Sequence, residues 1–147
     1  MQWDADAYFK AAQEHLDEAL SLFTSESDKR YLYAHYWAGI SVECMLRAYQ
    51  MRYVKEWVGR HDLSELFEKG YEKAISVRSA GKTSEILNDV TRRWNSNHRY
   101  ATSEMLIASL RDKKIDVHLK GDLLKNNARC MLEYAQRIVT SGVEHWR

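Results

Sequence analysis

Proline is absent from this 147-residue chain, and its six glycines are scattered singly. The sequence therefore has no Pro-rich or Gly-rich stretch of the kind that forms linkers and low-complexity segments. It also lacks any run of 18 or more apolar residues, and its first ten residues are acidic and polar rather than basic and then apolar. These patterns predict neither a membrane span nor an export signal. We predict a single domain over residues 1–147 in the cytoplasm.

Motifs for metal binding and for serine nucleophiles are missing as well. The two cysteines, Cys44 and Cys130, form no CxxC pair, so we predict buried reduced thiols. None of the six histidines follows a glutamate by three residues, and no HExxH, GxSxG or Gly-rich phosphate loop occurs. We therefore predict no metal and no other cofactor. His15 and His35 are interpreted as helix-surface or interface residues, and Tyr36 and Trp37 as core.

What the chain does contain is an uneven distribution of charge. Its net charge is +1, but residues 1–28 carry seven acids and only one base, Lys10, so the remaining residues carry +7. A basic face for a polyanionic partner is compatible with this asymmetry. The simpler interpretation is an exposed acidic first helix.

Apolar residues recur at the three-and-four spacing of amphipathic helices. The predicted helices cover about 4–23, 28–53, 62–77, 84–94 and 122–140, with Ser27 or Asp28 capping the second and Gly142 stopping the last. We expect breaks at "SESDKR", "WVGRHD" and "SAGKTS". Residues 101–121 are less regular: "TSEMLIASL" is compatible with a short helix and "KKIDVHLKG" with an extended connection. The predicted fold is all-α, an antiparallel bundle of four to five helices.

One stretch, "TRRWNSNHRYATSE" at residues 91–104, concentrates chemically active side chains. It contains the spacing Arg93-x4-His98-x-Tyr100. A histidine can exchange a proton with a ribose 2′-hydroxyl or with the leaving oxygen, while an arginine binds the phosphate. Asn95 and Asn97 are candidates to orient either partner.

The same stretch has a purely structural interpretation. In it, Arg92, Arg93 and Arg99 are solvated or pair with the acidic first helix, while Trp94 and Tyr100 hold the segment against the bundle. The spacing does not decide whether Arg92 or Arg93 is the functional arginine, because neighbouring helical residues point about 100° apart.

Two further stretches, "YLYAHYWAGISVECMLRAYQ" and "GRHDLSELFEKG", add a family resemblance when they are read in order with "RWNSNHRY" and "NNARCMLEYAQRIV". Together they resemble HEPN domains, the higher eukaryotes and prokaryotes nucleotide-binding helical family. The residues that match a long helix with a central glutamate, followed by a His-Asp-Leu helix start, are Ala38, Gly39, Glu43, His61, Asp62, Leu63 and Leu66.

The resemblance implies a metal-independent endoribonuclease of toxin–antitoxin or defence type. Its cleft would form between the two subunits of a homodimer. Arg93 would bind the phosphate and the transition state, and His98 would act as acid or base. Arg92, Asn95, Asn97 and Arg99 would support RNA binding. A group of such toxins carries Arg-x4-His-x-Tyr, which implies that Tyr100 is a site for adenylyl groups added by a nucleotidyltransferase partner.

Two alternatives remain open at this stage. The first is a non-catalytic HEPN module that binds a nucleotide, RNA or a nucleotidyltransferase, with Trp94, Arg99 and Tyr100 serving the fold. The second is a helical bundle whose role is assembly with another protein.

Overall fold

The computed structural model describes residues 3–25, 28–54, 58–118 and 121–146. All the regular structure in these ranges is helical, which confirms the all-α prediction. The α-helices are α1 (Ala5–Phe23), α2 (Asp28–Tyr53), α3 (Leu63–Leu66), α4 (Glu72–Ala74), α5 (Val77–Arg93), α6 (Ser103–Asp112) and α7 (Leu123–His145). A π-helical turn, Phe67–Tyr71, joins α3 to α4, and 3-10 turns cover Ser96–Tyr100 and Ile115–His118. The predicted cap at Ser27 or Asp28 lies outside the described residues and side chains.

Side-chain caps explain where most of these helices begin. In each case, an Asp, Ser or Thr before the first helical residue accepts a hydrogen bond from the backbone N–H three residues later, which satisfies one free donor of the helix start. These caps are Asp4, Asp62, Ser76, Thr102 and Asp122.

The four long helices alternate in direction. Phe23 packs on Tyr31 and His15 on Trp37, with ring centroids 5.5 and 4.8 Å apart, so α1 and α2 are antiparallel. Tyr134 in α7 donates a hydrogen bond to Asp89 in α5 at 3.1 Å. The same two helices meet again where Arg93 contacts residue 127, so α5 and α7 are antiparallel as well.

Helix α2 is the centre of the bundle. It packs along α1 and α7 and also contacts α3, the π-helical turn and α6. Its residues from Tyr31 to Gln50 are mostly buried, including Ala34, Ala38, Met45 and Leu46 with almost no exposed surface. Because α2 is surrounded, any polar side chain on it has to find its partner inside the protein.

Three local predictions were wrong. The chain breaks at Ile75–Ser76 and not at residues 79–84, because Ser76 caps α5 and Gly81 is simply an internal helical residue. Gly142 does not stop α7, which runs to His145: Gly142 is buried, and its carbonyl accepts a hydrogen bond from Tyr49 Oη at 2.6 Å. Residues 115–118 form a 3-10 turn rather than an extended segment.

The segment after the 3-10 turn at residue 100 closes one end of the bundle. Leu106 and Leu110 of α6, together with Ile115, pack on apolar residues from the ends of α1, α2 and α7. The buried partners from those helices are Leu22, Tyr31, Leu32, Ala34, Leu124 and Ala128. Residues 103–115 therefore cover this end of the bundle and directly follow the 3-10 turn that carries His98. No helix among the described residues is long and apolar enough to span a bilayer.

Candidate functional site

Trp94 fixes the position of the whole segment that follows α5. Its ring is 3% exposed, and its Nε1–H donates to the carbonyl of Tyr36 at 3.1 Å. The ring lies directly over Gly39 of α2, where an added Cβ would overlap with it. Gly39 therefore provides the space that lets the end of α5 dock on α2.

The next residues turn sharply inward. Asn95 caps the 3-10 turn: its Oδ1 accepts from the Asn97 N–H at 2.9 Å, and its carbonyl accepts from the His98 N–H at 3.1 Å. This turn aims the His98 side chain into the protein, where the residue is 8% exposed. Asn95 and Asn97 themselves stay at the surface.

Inside, four side chains from separate elements form one continuous hydrogen-bonded row. Arg93 Nη1 lies 3.0 Å from Asn127 Oδ1, Asn127 Nδ2 lies 2.8 Å from His35 Nδ1, and His35 Nε2 lies 2.9 Å from His98 Nδ1. His35 and Asn127 are completely buried. We call these four residues the histidine row. It links the two predicted catalytic residues, Arg93 and His98, through His35 and Asn127, to which the sequence analysis gave no role in the site.

The surroundings of the histidine row favour neutral rings. Burial, followed by the proximity of His98, Arg93 and Lys113, holds the pKa of His35 well below its usual range. Burial and then Lys113 lower the pKa of His98 to about 4. Both effects have the same sign, because a cation is disfavoured both by loss of water and by neighbouring positive charge.

The other candidate residues surround the row but do not join it. Arg92 donates to the carbonyl of Lys113 at 3.1 Å and is exposed. The Arg99 guanidinium lies over the Tyr100 ring, 5.2 Å from its centroid, and Tyr100 is 74% exposed. Tyr100 therefore does not hold the segment against the bundle as one interpretation predicted. Among the described residues, none of the three arginines forms an ion pair, so they do not neutralise the acidic first helix.

A second buried polar cluster lies two turns farther along α2. Glu43 contacts Arg47 at 3.4 Å and His61 Nδ1 at 2.9 Å. Arg47 also donates to the carbonyls of Val58 and Arg60. We call Glu43, Arg47 and His61 the glutamate cluster. It ties the residues before α3 to the middle of α2, which gives a structural reason for the glutamate and the His-Asp-Leu stretch noted in the sequence.

The sequence interpretation of His35 as a surface or interface residue was wrong. His35 follows Leu32 by three residues, and Asn127 follows Leu124 by three, so both fall on inward-facing positions of their helices. A polar residue on an apolar helical face is the signal that was available for both. Lys113 carried no such signal, because only the fold of residues 103–115 brings it near the row. Tyr36 and Trp37 are half-buried rather than fully in the core.

The two cysteines and the possible metal ligands do not extend the candidate site. Cys44 and Cys130 are free thiols, and burial raises the pKa of Cys44 to about 12, which leaves it unreactive. Cys130 is only half-buried, unlike the prediction. Within the described ranges, no group of three or more His, Cys, Asp or Glu side chains is placed to hold a metal ion.

The chain matches the family model of the HEPN domain. No curated protein and no solved structure matches the chain. The sequence pattern of the HEPN domain covers residues 5–146, from the first residue of α1 to the residue after α7. Such coverage leaves no part of the bundle unaccounted for, and the chain belongs to the HEPN domain family.

Proposed function

We propose that this HEPN domain acts on RNA as a metal-independent endoribonuclease, with Arg93 binding the phosphate and His98 contacting the reacting oxygens. The observation that carries the proposal is the histidine row. It joins these two residues, from the end of α5 and from the 3-10 turn, into one preorganised unit. A preorganised donor set next to unpaired cations is what stabilises the charge that develops on a phosphate.

The reaction would follow the usual course for RNA cleavage without a metal. The ribose 2′-oxygen attacks the adjacent phosphorus and loses its proton to water. The bond from phosphorus to the 5′-oxygen breaks, and that oxygen gains a proton from water. The products are a 2′,3′-cyclic phosphate and a free 5′-hydroxyl. Arg93 would balance the negative charge on the non-bridging oxygens throughout.

Binding of the RNA strand would extend beyond the row. Arg92, Asn95, Asn97 and Arg99 lie at or near the surface around His98 and have no acidic partner among the described side chains. They would contact neighbouring phosphates and make affinity fall steeply with salt. A second copy of the chain would complete the cleft, because one row supplies only Arg93 and His98 as reacting residues.

Regulation by a partner nucleotidyltransferase is part of the same proposal. Tyr100 is 74% exposed, two residues from His98, so an enzyme that transfers adenylyl groups would have access to its hydroxyl. A modified Tyr100 would place negative charge and bulk beside the RNA path. This would fit the toxin of a toxin–antitoxin pair.

One observation favours a second candidate function. His98 is only 8% exposed, and its Nδ1 is already within 2.9 Å of His35. Such a deeply buried histidine fits a non-catalytic module. This module would bind RNA, a nucleotide or a nucleotidyltransferase through its exposed arginines and would not cleave RNA.

The test is RNA cleavage in the presence of EDTA by the wild type and by His98→Gln and Arg93→Gln. We expect 2′,3′-cyclic phosphate ends from the wild type and a loss of at least about a hundredfold in both variants. Arg92→Gln serves as the matched control on the neighbouring residue and should lose far less. Salt-dependent RNA binding without any cleavage by the wild type would instead support the non-catalytic module.

A further inference from the structure

We propose that His35 and Asn127 are positioning residues that fix the His98 ring proton on Nε2, so that His98 Nε2–H and the Asn95 amide form a two-donor site for a phosphate oxygen. This deepens the proposed function and rests on it for its role in cleavage. The position of the His98 ring proton and the binding of phosphate can be tested without measuring any activity.

The first constraint comes from Arg93. A guanidinium can only donate hydrogen bonds, so the Asn127 atom that faces it at 3.0 Å is the amide oxygen. The amide nitrogen of Asn127 then faces His35 Nδ1 at 2.8 Å and donates to it. A neutral His35 with an accepting Nδ1 carries its proton on Nε2, and this Nε2–H donates to His98 Nδ1 at 2.9 Å.

The second constraint comes from the opposite end and is independent of the first. The backbone N–H of Asn95 points at His98 Nδ1 at 3.4 Å, and a backbone amide can only donate. His98 Nδ1 therefore meets donors from both His35 and Asn95. Both constraints assign the ring proton of His98 to Nε2.

The far edge of His98 then presents an incomplete site. Asn95 Oδ1 is occupied by the Asn97 N–H, so Asn95 turns its Nδ2 toward His98 Nε2, at 3.4 Å. With the proton on Nε2, both atoms are donors, and neither satisfies the other. Two neighbouring donors without an acceptor among the described residues match a negatively charged oxygen, and phosphate offers three or four such oxygens.

The charges around His98 agree with an anionic ligand and a neutral ring. His35 faces it from α2, Arg93 lies beyond Asn127 at the end of α5, and Lys113 approaches from the turn after α6. Burial and then Lys113 lower the pKa of His98, and no described carboxylate opposes them. His98 would therefore enter the reaction as a neutral hydrogen-bond donor.

A proton on Nε2 determines what His98 can do in the reaction. A ring with its proton on Nε2 cannot take the 2′-hydroxyl proton through that nitrogen. It can donate a hydrogen bond to a phosphate oxygen whose charge increases in the transition state, as neutral histidines do in other enzymes. His98 would then be a charge stabiliser rather than the base.

The experiment uses two variants of one position. In His35→Gln, the side-chain amide reaches the place of Nε2 and can still donate to His98. In His35→Asn, the amide reaches only the place of Nδ1 and leaves His98 Nδ1 without its buried donor. Long-range nitrogen–proton NMR spectra of the ring nitrogens would be recorded at pH 7, alone and during titration with inorganic phosphate.

We expect a protonated Nε2 and an unprotonated Nδ1 on His98 in the wild type and in His35→Gln. In His35→Asn, both nitrogen shifts of His98 should move toward averaged values. Phosphate should shift the Nε2 resonance of the wild type, and this response should weaken in Asn95→Ala. In RNA cleavage, His35→Asn should lower kcat by about tenfold or more with little change in KM, and His35→Gln should recover most of that loss.

Two outcomes would overturn the inference: a wild-type His98 with its proton on Nδ1, or identical ring shifts in both His35 variants. Equal loss of kcat in the two variants would reduce His35 to a packing role. If the wild type cleaves no RNA but the NMR pattern is as expected, the proposed reaction fails while the two-donor site stands.

Discussion

The histidine row and the glutamate cluster both contain histidine and both are anchored on α2 by buried side chains, yet their charges are arranged in opposite ways. The glutamate cluster pairs a carboxylate with a guanidinium, and Arg47 donates further to two backbone carbonyls. The histidine row has a cation at one end, neutral groups along it and no described carboxylate. The first arrangement is internally satisfied. The second ends in unsatisfied donors near the surface.

The difference separates a structural role from a functional one. A buried ion pair whose remaining donors reach backbone carbonyls has no capacity left for a ligand, and removal of one partner alone destabilises the fold because the other charge stays buried. The positive charge of the histidine row is not neutralised by a described carboxylate, so its electrostatic field can attract an anion. We therefore expect the glutamate cluster to govern stability and the histidine row to govern activity.

The largest effect should come from Arg47→Met. This change leaves the 8%-exposed Glu43 side chain without its arginine and removes the donors to Val58 and Arg60. Breaking one side of a buried ion pair costs about 3–5 kcal/mol, which urea denaturation would measure. Arg60→Met, at an exposed side chain, is the control and should stay within about 0.5 kcal/mol. A small effect of Arg47→Met would mean that the cluster is not what holds the 58–61 segment.

The pH dependence of stability should come next and should report on the histidine row. The folded state lowers the pKa of His98 to about 4 and that of His35 well below 6.5, so unfolding takes up protons in this range. The free energy of unfolding should be unaffected by these histidines above about pH 6.5. It should fall as the pH drops toward 4, by up to about 1.4 kcal/mol per pH unit for each histidine.

Urea midpoints at pH 7, 6 and 5 would measure this slope. His98→Gln should flatten it. His15 contributes in the same direction because burial also lowers its pKa, so His15→Gln is the comparison that isolates the row. An unchanged slope in His98→Gln would show that the row does not resist protonation.

Gly39 and Gly81 offer a contrast between two helical glycines. A Cβ at Gly39 would overlap with the Trp94 ring, whereas a Cβ at Gly81 meets no atom within 4 Å. Gly39→Ala should destabilise by about 1–3 kcal/mol and displace the segment that carries His98, so RNA cleavage should fall more than stability predicts. Gly81→Ala should stabilise α5 by about 0.5–1 kcal/mol. Full activity in Gly39→Ala would show that the contact between Gly39 and Trp94 is not needed to position His98.

The long helices could be predicted from the sequence, whereas several of their boundaries depended on the tertiary fold. The spacing of apolar residues was enough to place α1, α2 and most of α7, because helical periodicity is a local property. The break at Ile75–Ser76 was missed because Ser76 competes with a more conspicuous "SAGKTS", and a single internal glycine is tolerated in a helix.

The candidate site was predictable only in part for the same reason. Arg93 and His98 lie five residues apart, so their spacing shows in the sequence. His35 and Asn127 come from α2 and α7, 92 residues apart, and only the packing of those helices brings them within 2.8 Å. The sequence also favoured a surface or interface position for His35, because histidine is intermediate between the buried and the exposed residue types.

The smallest predicted effect concerns His61, the histidine of the glutamate cluster. Its side chain is 55% exposed while it contacts Glu43, so solvent weakens the pair, and Arg47 still neutralises Glu43 without it. His61→Ala should cost less than about 1 kcal/mol and leave RNA cleavage unchanged, measured by urea denaturation and by initial rates in EDTA. His98→Ala is the matched change in the row, and it should abolish cleavage. Equal losses of activity in the two variants would erase the distinction between a cluster that holds the fold and a row that acts on RNA.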